Sequence, residues 1–144
     1  MDPLSVTAGV IAVATLAWQS CKAAHCLVNA LAPAPEAITR SKNSLIETQK
    51  TLGALQQTLT TTSENVLDPI LRTIQLDATL TSTQRLCDEY TAAITRYTSH
   101  STEERFSKRD RITAYFHESK IKILHRDLGD CQRTLSMVLV SINL

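Results

Sequence analysis

The sequence predicts an all-α protein, a single helical bundle of four to five helices, and three observations carry that prediction. Aromatic residues make up 4% of the chain and there are three glycines, while Leu, Ala, Ile and Val supply the apolar content. That balance suits helices better than a sheet sandwich with its many turns. Apolar residues also recur at steps of three, four and seven over helix-length segments, and short stretches rich in Pro, Thr or Ser separate those segments. With 144 residues the chain can bury one core without disulfides or metals, so residues 1–144 are expected to form one domain.

The first helix is placed at about residues 3–31. Asp2 suits the N-cap and Pro3 the first helical position, where a missing N–H costs nothing. Val6, Val10, Val13, Ala17, Ala24 and Leu31 are expected on one stripe, with Ile11, Leu16 and Trp18 off it. No charged side chain occurs from Pro3 to Cys21, and a helix apolar all round is either central in a bundle or in contact with lipid. These 19 residues would run about 28 Å at 1.5 Å per residue, near the hydrocarbon thickness of about 30 Å. Their many Ala, Thr and Ser residues favour shelter within a bundle over a permanent span. The segment imitates a secretory signal peptide, yet Asp2 stands where Lys or Arg belongs and no small-x-small site ends the apolar run. It is therefore expected to stay on the mature protein. Ala32-Pro33-Ala34-Pro35 stops the helix.

A second helix is placed at about 36–59, where Ile38, Leu45, Leu52 and Leu59 recur every seven residues and Leu55 completes the last half-heptad. Thr60-Thr61-Thr62-Ser63 interrupts it and offers an N-cap. A short third helix at about 64–76 carries Val66, Leu67, Ile70, Leu71 and Ile74, with Pro69 expected to kink it or mark its start. A fourth, at about 82–98, gathers Leu86, Cys87, Tyr90, Ile94 and Tyr97 on one face. Ser99 to Ser107 reads as a loop, and the following RITAYFHESK as a turn or short helix that docks Tyr115 and Phe116. The last helix, at about 117–143, steps three and four through Ile121, Leu124, Leu128, Cys131, Leu135, Val138 and Ile142. The expected bundle core includes Leu45, Leu52, Leu59, Ile121, Leu124, Leu128, Leu135 and Val138.

The charged and metal-binding residues point to few chemistries. A net charge of +1 gives no general attraction to nucleic acid. Cys21, Cys26, Cys87 and Cys131 lack the spacing of zinc ribbons or disulfide scaffolds and read as reduced thiols. Cys21 and His25 share a helical face, but a zinc site needs three or four ligands. No Gly-rich phosphate loop, no nucleophile beside a histidine and no acid and base pair stands out, so neither an enzyme nor a cofactor is expected. Asp127 and Asp130 sit beside Arg126 and Arg133 as an ordinary solvated face. Arg105, Lys108, Arg109 and Arg111 read first as a charged loop and second as a candidate contact for anionic headgroups, each cation contributing about 1 kcal/mol there.

The opening MDPLSVTAGVIAVATLAW resembles the start of HeLo-like domains, found at the N-termini of fungal STAND and NLR-type receptors and in cell-death effectors. The ending RITAYFHESKIKILHRDLGDCQRTLSMVLVSI is similar to that family's last helix. Together the two ends cover about a third of the chain. The resemblance implies a bundle of the four-helix executioner type and a cytoplasmic protein that moves to the plasma membrane once oligomerised and permeabilises it. Its implied partners are anionic membrane lipids, other copies of itself and an upstream NLR-type receptor. It assigns membrane insertion to Leu4, Val6, Val10, Ile11, Val13, Leu16 and Trp18. An adaptor that binds other helical domains and never touches lipid is the competing expectation.

Overall fold

The computed structural model describes residues 6–30, 36–99, 110 and 117–143. Their regular structure is helical: α1 (Val6–Asn29), α2 (Glu36–Thr61), α3 (Glu64–Thr73), α4 (Leu76–Tyr97) and α5 (Glu118–Ile142). The expected all-α bundle is what the chain forms.

α1 packs against α2 and α4, and α5 packs against the same two, so α1 and α5 occupy opposite corners of a four-helix bundle. Side-chain contacts fix the directions. Gln56 donates to the Thr15 hydroxyl at 2.7 Å and the Cys21 thiol to the Leu45 carbonyl at 3.2 Å, so α1 and α2 are antiparallel. Tyr97 stacks on His117 at 4.6 Å between ring centroids, which joins the end of α4 to the start of α5. The bundle is thus two antiparallel pairs laid side by side. Passing from α2 to α4 means crossing the diagonal, and α3 makes that crossing beneath the start of α1.

Each long helix buries one seam with heptad steps. α2 buries Ile38, Ser41, Leu45, Thr48, Leu52, Leu55 and Leu59, and α5 buries Ile121, Leu124, Leu128, Leu135 and Val138. All eight expected core residues are therefore inside. Tyr90 of α4 reaches across the diagonal, its hydroxyl donating to the Ile38 carbonyl at 3.5 Å and bonding Ser41. This neutral pairing satisfies a polar atom in an apolar core.

The structure revises several expected boundaries. α2 runs through Thr61, because the Thr60 and Thr61 hydroxyls bond back to carbonyls one turn earlier rather than competing with the helix. Ser63 caps α3 by accepting from the Asn65 N–H at 3.3 Å. Pro69 lies inside α3 and does not start it. α3 also ends three residues earlier than expected, where Ile74 turns extended. α4 begins at Leu76, six residues ahead of its expected start, since Leu76, Leu80 and Thr83 extend its buried face. Packing there overrides the weak helix preference of Thr79, Thr81 and Ser82. The expected N-cap at Asp2 and Pro3, the Pro-rich stop and the turn bearing Tyr115 and Phe116 lie outside the described residues.

Candidate functional site

α1 is where the sequence placed the function, and the residues that seat it differ from those expected. Its buried seam is Thr7, Val10, Ala14, Ala17, Cys21, Ala24 and Val28, stepping three and four throughout. Ala14, Ala17, Cys21 and Ala24 have no exposed surface. Of the expected stripe, Val10, Ala17 and Ala24 lie on this seam, Val6 and Val13 are half-buried beside it, and Leu31 lies outside the described residues. The correction follows from side-chain size. The four fully closed positions are small, because small residues let two helix backbones approach closely; Thr7, Val10 and Val28 complete the seam toward its ends, and Val6 and Val13 fit the flanks.

Asp68 of α3 holds the first turn of α1. One carboxylate oxygen accepts from both the Thr7 backbone N–H at 3.1 Å and the Thr7 hydroxyl at 2.5 Å. An acidic group at a helix N-terminus satisfies an otherwise unpaired donor and complements the helix dipole. Here the cap comes from another element, so α1 is fastened to α3 at its base. Further along, the Thr15 hydroxyl donates to the Ile11 carbonyl at 2.9 Å while accepting from Gln56.

Two core thiols face each other between α1 and α4. Both are free thiols, and the hydrogen bond of Cys87 to Cys21, followed by burial, pushes the Cys87 thiol far above its ordinary range. Cys131 of α5 is half-buried; burial raises it too, partly offset by a bond to Thr83. Cys26 is exposed. Among the described residues no three His, Cys, Asp or Glu side chains converge to hold a metal ion.

The outward face of α1 has a different character from its neighbours. Its exposed residues are Ala12, Leu16, Gln19, Lys22, Ala23, Cys26 and Asn29, and Lys22 is the helix's one Lys, Arg, Asp or Glu. Leu16 is 49% exposed. Ile11, Val13 and Trp18 border this face, half-buried against the core, and the Lys22 ammonium lies 5.1 Å from the Trp18 ring centroid. The outward faces of α2, α4 and α5 instead carry ion pairs such as Arg40 with Glu36, Arg85 with Glu89 and Lys122 with Glu118.

The seven residues assigned to insertion therefore do not share one surface. Val10 is in the core at 5% exposure, Leu16 faces outward, and Val6, Ile11, Val13 and Trp18 lie between. Leu4, and the basic cluster Arg105, Lys108, Arg109 and Arg111, lie outside the described residues. None of the described helices is long and apolar enough to cross a membrane. Asp127 and Asp130 pair with Arg126 and Arg133 on the solvated face of α5, as their spacing implied. Sequence reasoning missed the cap at Asp68. Nothing local marks it, since the two partners are 61 residues apart.

Fold and site together define an all-α bundle domain whose first helix is fastened at its base and carries Lys22 as the one Lys, Arg, Asp or Glu on its outer face. The family described as pigment biosynthesis cluster protein PigL N-terminal matches residues 1–144, and the chain belongs to that family. No curated protein and no solved structure matches it.

Proposed function

We propose that this domain is a HeLo-like membrane-targeting effector of fungal programmed cell death or incompatibility, which permeabilises the plasma membrane after oligomerising. The observation that supports it is the outward face of α1, uncharged from Ala8 to Ser20 and carrying the half-exposed Leu16. Close packing explains why the inward face of α1 carries no charge; it places no such demand on Ala12 and Leu16. Because no described helix is suited to span a bilayer, α1 acts in this reading as an interfacial helix, its apolar side chains at the boundary of headgroups and acyl chains. Permeabilisation then belongs to a cluster of copies. Anionic lipids, the protein itself and an NLR-type receptor upstream are the proposed partners, with a cytoplasmic resting state.

Dye release from liposomes tests this. Leu16→Lys removes the most exposed large apolar side chain of α1 and adds a charge, leaving the buried seam untouched. Intact protein should release dye, and Leu16→Lys should lose at least about tenfold of that activity while unfolding at the same temperature. Equal release by a folded Leu16→Lys variant would refute the role given to this face.

A second reading, a helical adaptor without lipid activity, draws support from the fastening of α1 by Asp68 and from its packing against two long helices. It predicts a stable soluble complex through the same face of α1 and no dye release at any protein concentration.

A further inference from the structure

A cleft of about 480 Å³ lies between the first turns of α1 and the junction of α3 with α4. Val6 and Val13 line one wall, Leu71 and Ile74 the other, and Arg72 and Asp77 stand at its polar rim. The volume falls in the range of small-molecule sites, about 300–1,000 Å³. The space beside Gly9 is open, for a Cβ built there meets no atom within 4 Å. The extended backbone of Ile74, at φ −98° and ψ 123°, ends α3 and turns the chain into α4. This leaves Arg72 in the last turn of one helix and Asp77 in the first turn of the next. Both are exposed, and neither makes an ion pair among the described residues.

An apolar cleft with a cation and a carboxylate at its rim that form no ion pair among the described residues matches a ligand with a hydrocarbon chain and a head of both signs. We propose that it binds a single-chain zwitterionic phospholipid, the chain between α1 and Leu71 and Ile74, the phosphate on Arg72 and the ammonium on Asp77. The guanidinium fork suits phosphate oxygens, which it grips with two parallel bonds. A simple fatty acid fits less well, because its carboxylate would meet Asp77 as well as Arg72. The site deepens the membrane reading above and rests on it for the source of the lipid.

The test is calorimetric titration of the whole chain with dodecylphosphocholine below its micelle-forming concentration, alongside dodecyl maltoside, which has the same chain and no charge. Saturable one-to-one binding of the zwitterion is expected. Gly9→Leu, which fills the cleft, should weaken binding of both probes at least about tenfold. The double variant Arg72→Gln with Asp77→Asn should weaken only the zwitterion, to the level of the maltoside. Both positions are exposed, so this variant carries the test even where Gly9→Leu fails to fold. Absence of saturable binding, or unchanged binding in a folded Gly9→Leu variant, overturns the proposal. So does binding that appears only in Leu4→Ser, which would assign the cleft to the chain's own first residues. Dye release without binding would overturn the cleft and leave the membrane reading standing, whereas binding without dye release supports the cleft and refutes the effector.

Discussion

Ala17 and Leu16 are neighbours in sequence with opposite fates, and substituting each should locate the packed face of α1. Ala17 has no exposed surface and sits in a seam whose other central members, Ala14, Cys21 and Ala24, are equally closed. Ala17→Leu adds three carbon atoms where no space exists, so α1 must move away from its neighbours or adopt strained rotamers. Such overpacking costs about 1–3 kcal/mol. Helix preference hardly changes between Ala and Leu, so the loss reports packing. In a chain of this length it lowers the melting temperature by about 3–9 °C. Leu16→Gln, on a side chain 49% exposed, should change stability by no more than about 0.5 kcal/mol. Urea unfolding followed by circular dichroism at one protein concentration measures both. If Ala17→Leu is as stable as the parent, α1 is not seated through its small residues. If Leu16→Gln is the more damaging, the helix is rotated by about one residue, or about 100°, from the orientation described.

Three further outcomes are expected. Asp68→Ala removes the acceptor for two Thr7 donors and should cost about 1–2 kcal/mol in urea unfolding, with amide exchange in the first turn of α1 accelerating first; protection unchanged there would refute the fastening. Gly53→Ala should stabilise α2 by about 0.5–1 kcal/mol, since a Cβ there meets only the Trp18 Nε1 at 3.8 Å, an ordinary contact; a destabilised variant would mean that the indole needs the space. Burial raises Tyr90 from 10.0 to about 12, the Ser41 bond lowering it only in part. Stability from keeping that ring neutral is whole below pH 10 and disappears between 10 and 12, roughly 2–3 kcal/mol, because the unfolded chain ionises first. Tyr90→Phe should flatten this alkaline loss, which denaturation between pH 9 and 12 would reveal.

What the sequence disclosed follows from how strongly each element is patterned. α5 and α2 are legible because Leu and Ile mark most steps of their seams, with Ser41 and Thr48 filling two steps of α2. The seam of α1 is harder to read for the same reason: most of its members are small, and the valines at positions 6 and 13 draw the expected stripe off axis. Counting Thr7, Ala14, Cys21 and Val28 as one heptad row, with Val10, Ala17 and Ala24 as the other, gives the observed face. The start of α4 was hidden because Thr81 and Ser82 favour turns locally, and only the burial of Leu76 and Leu80 against other helices makes that turn helical. Asp68 and the cleft beside Gly9 depend on the crossing of α3 under α1, which no local pattern encodes.

The absence of charge from Val6 to Cys21 of α1 has two separate causes, one on each side of the helix. Inward, charge is excluded by geometry: Ala14, Ala17, Cys21 and Ala24 touch neighbouring helices too closely to admit any longer side chain. This side would be bare in any tightly packed bundle and says nothing of lipid. Outward, Ala12, Leu16 and Gln19 meet solvent, where a Lys or Glu would be favourable for solubility and neutral for packing. Elsewhere on the bundle outward faces carry such residues, as Arg40, Glu47, Arg85 and Arg126 show. In the proposed reading this uncharged stretch meets a partner that charge would repel, and both a bilayer interface and the apolar face of another helix meet that condition. Lipid composition separates them: a partner helix is indifferent to anionic headgroups, whereas the interfacial reading requires α1 to engage the membrane to which the rest of the protein is drawn.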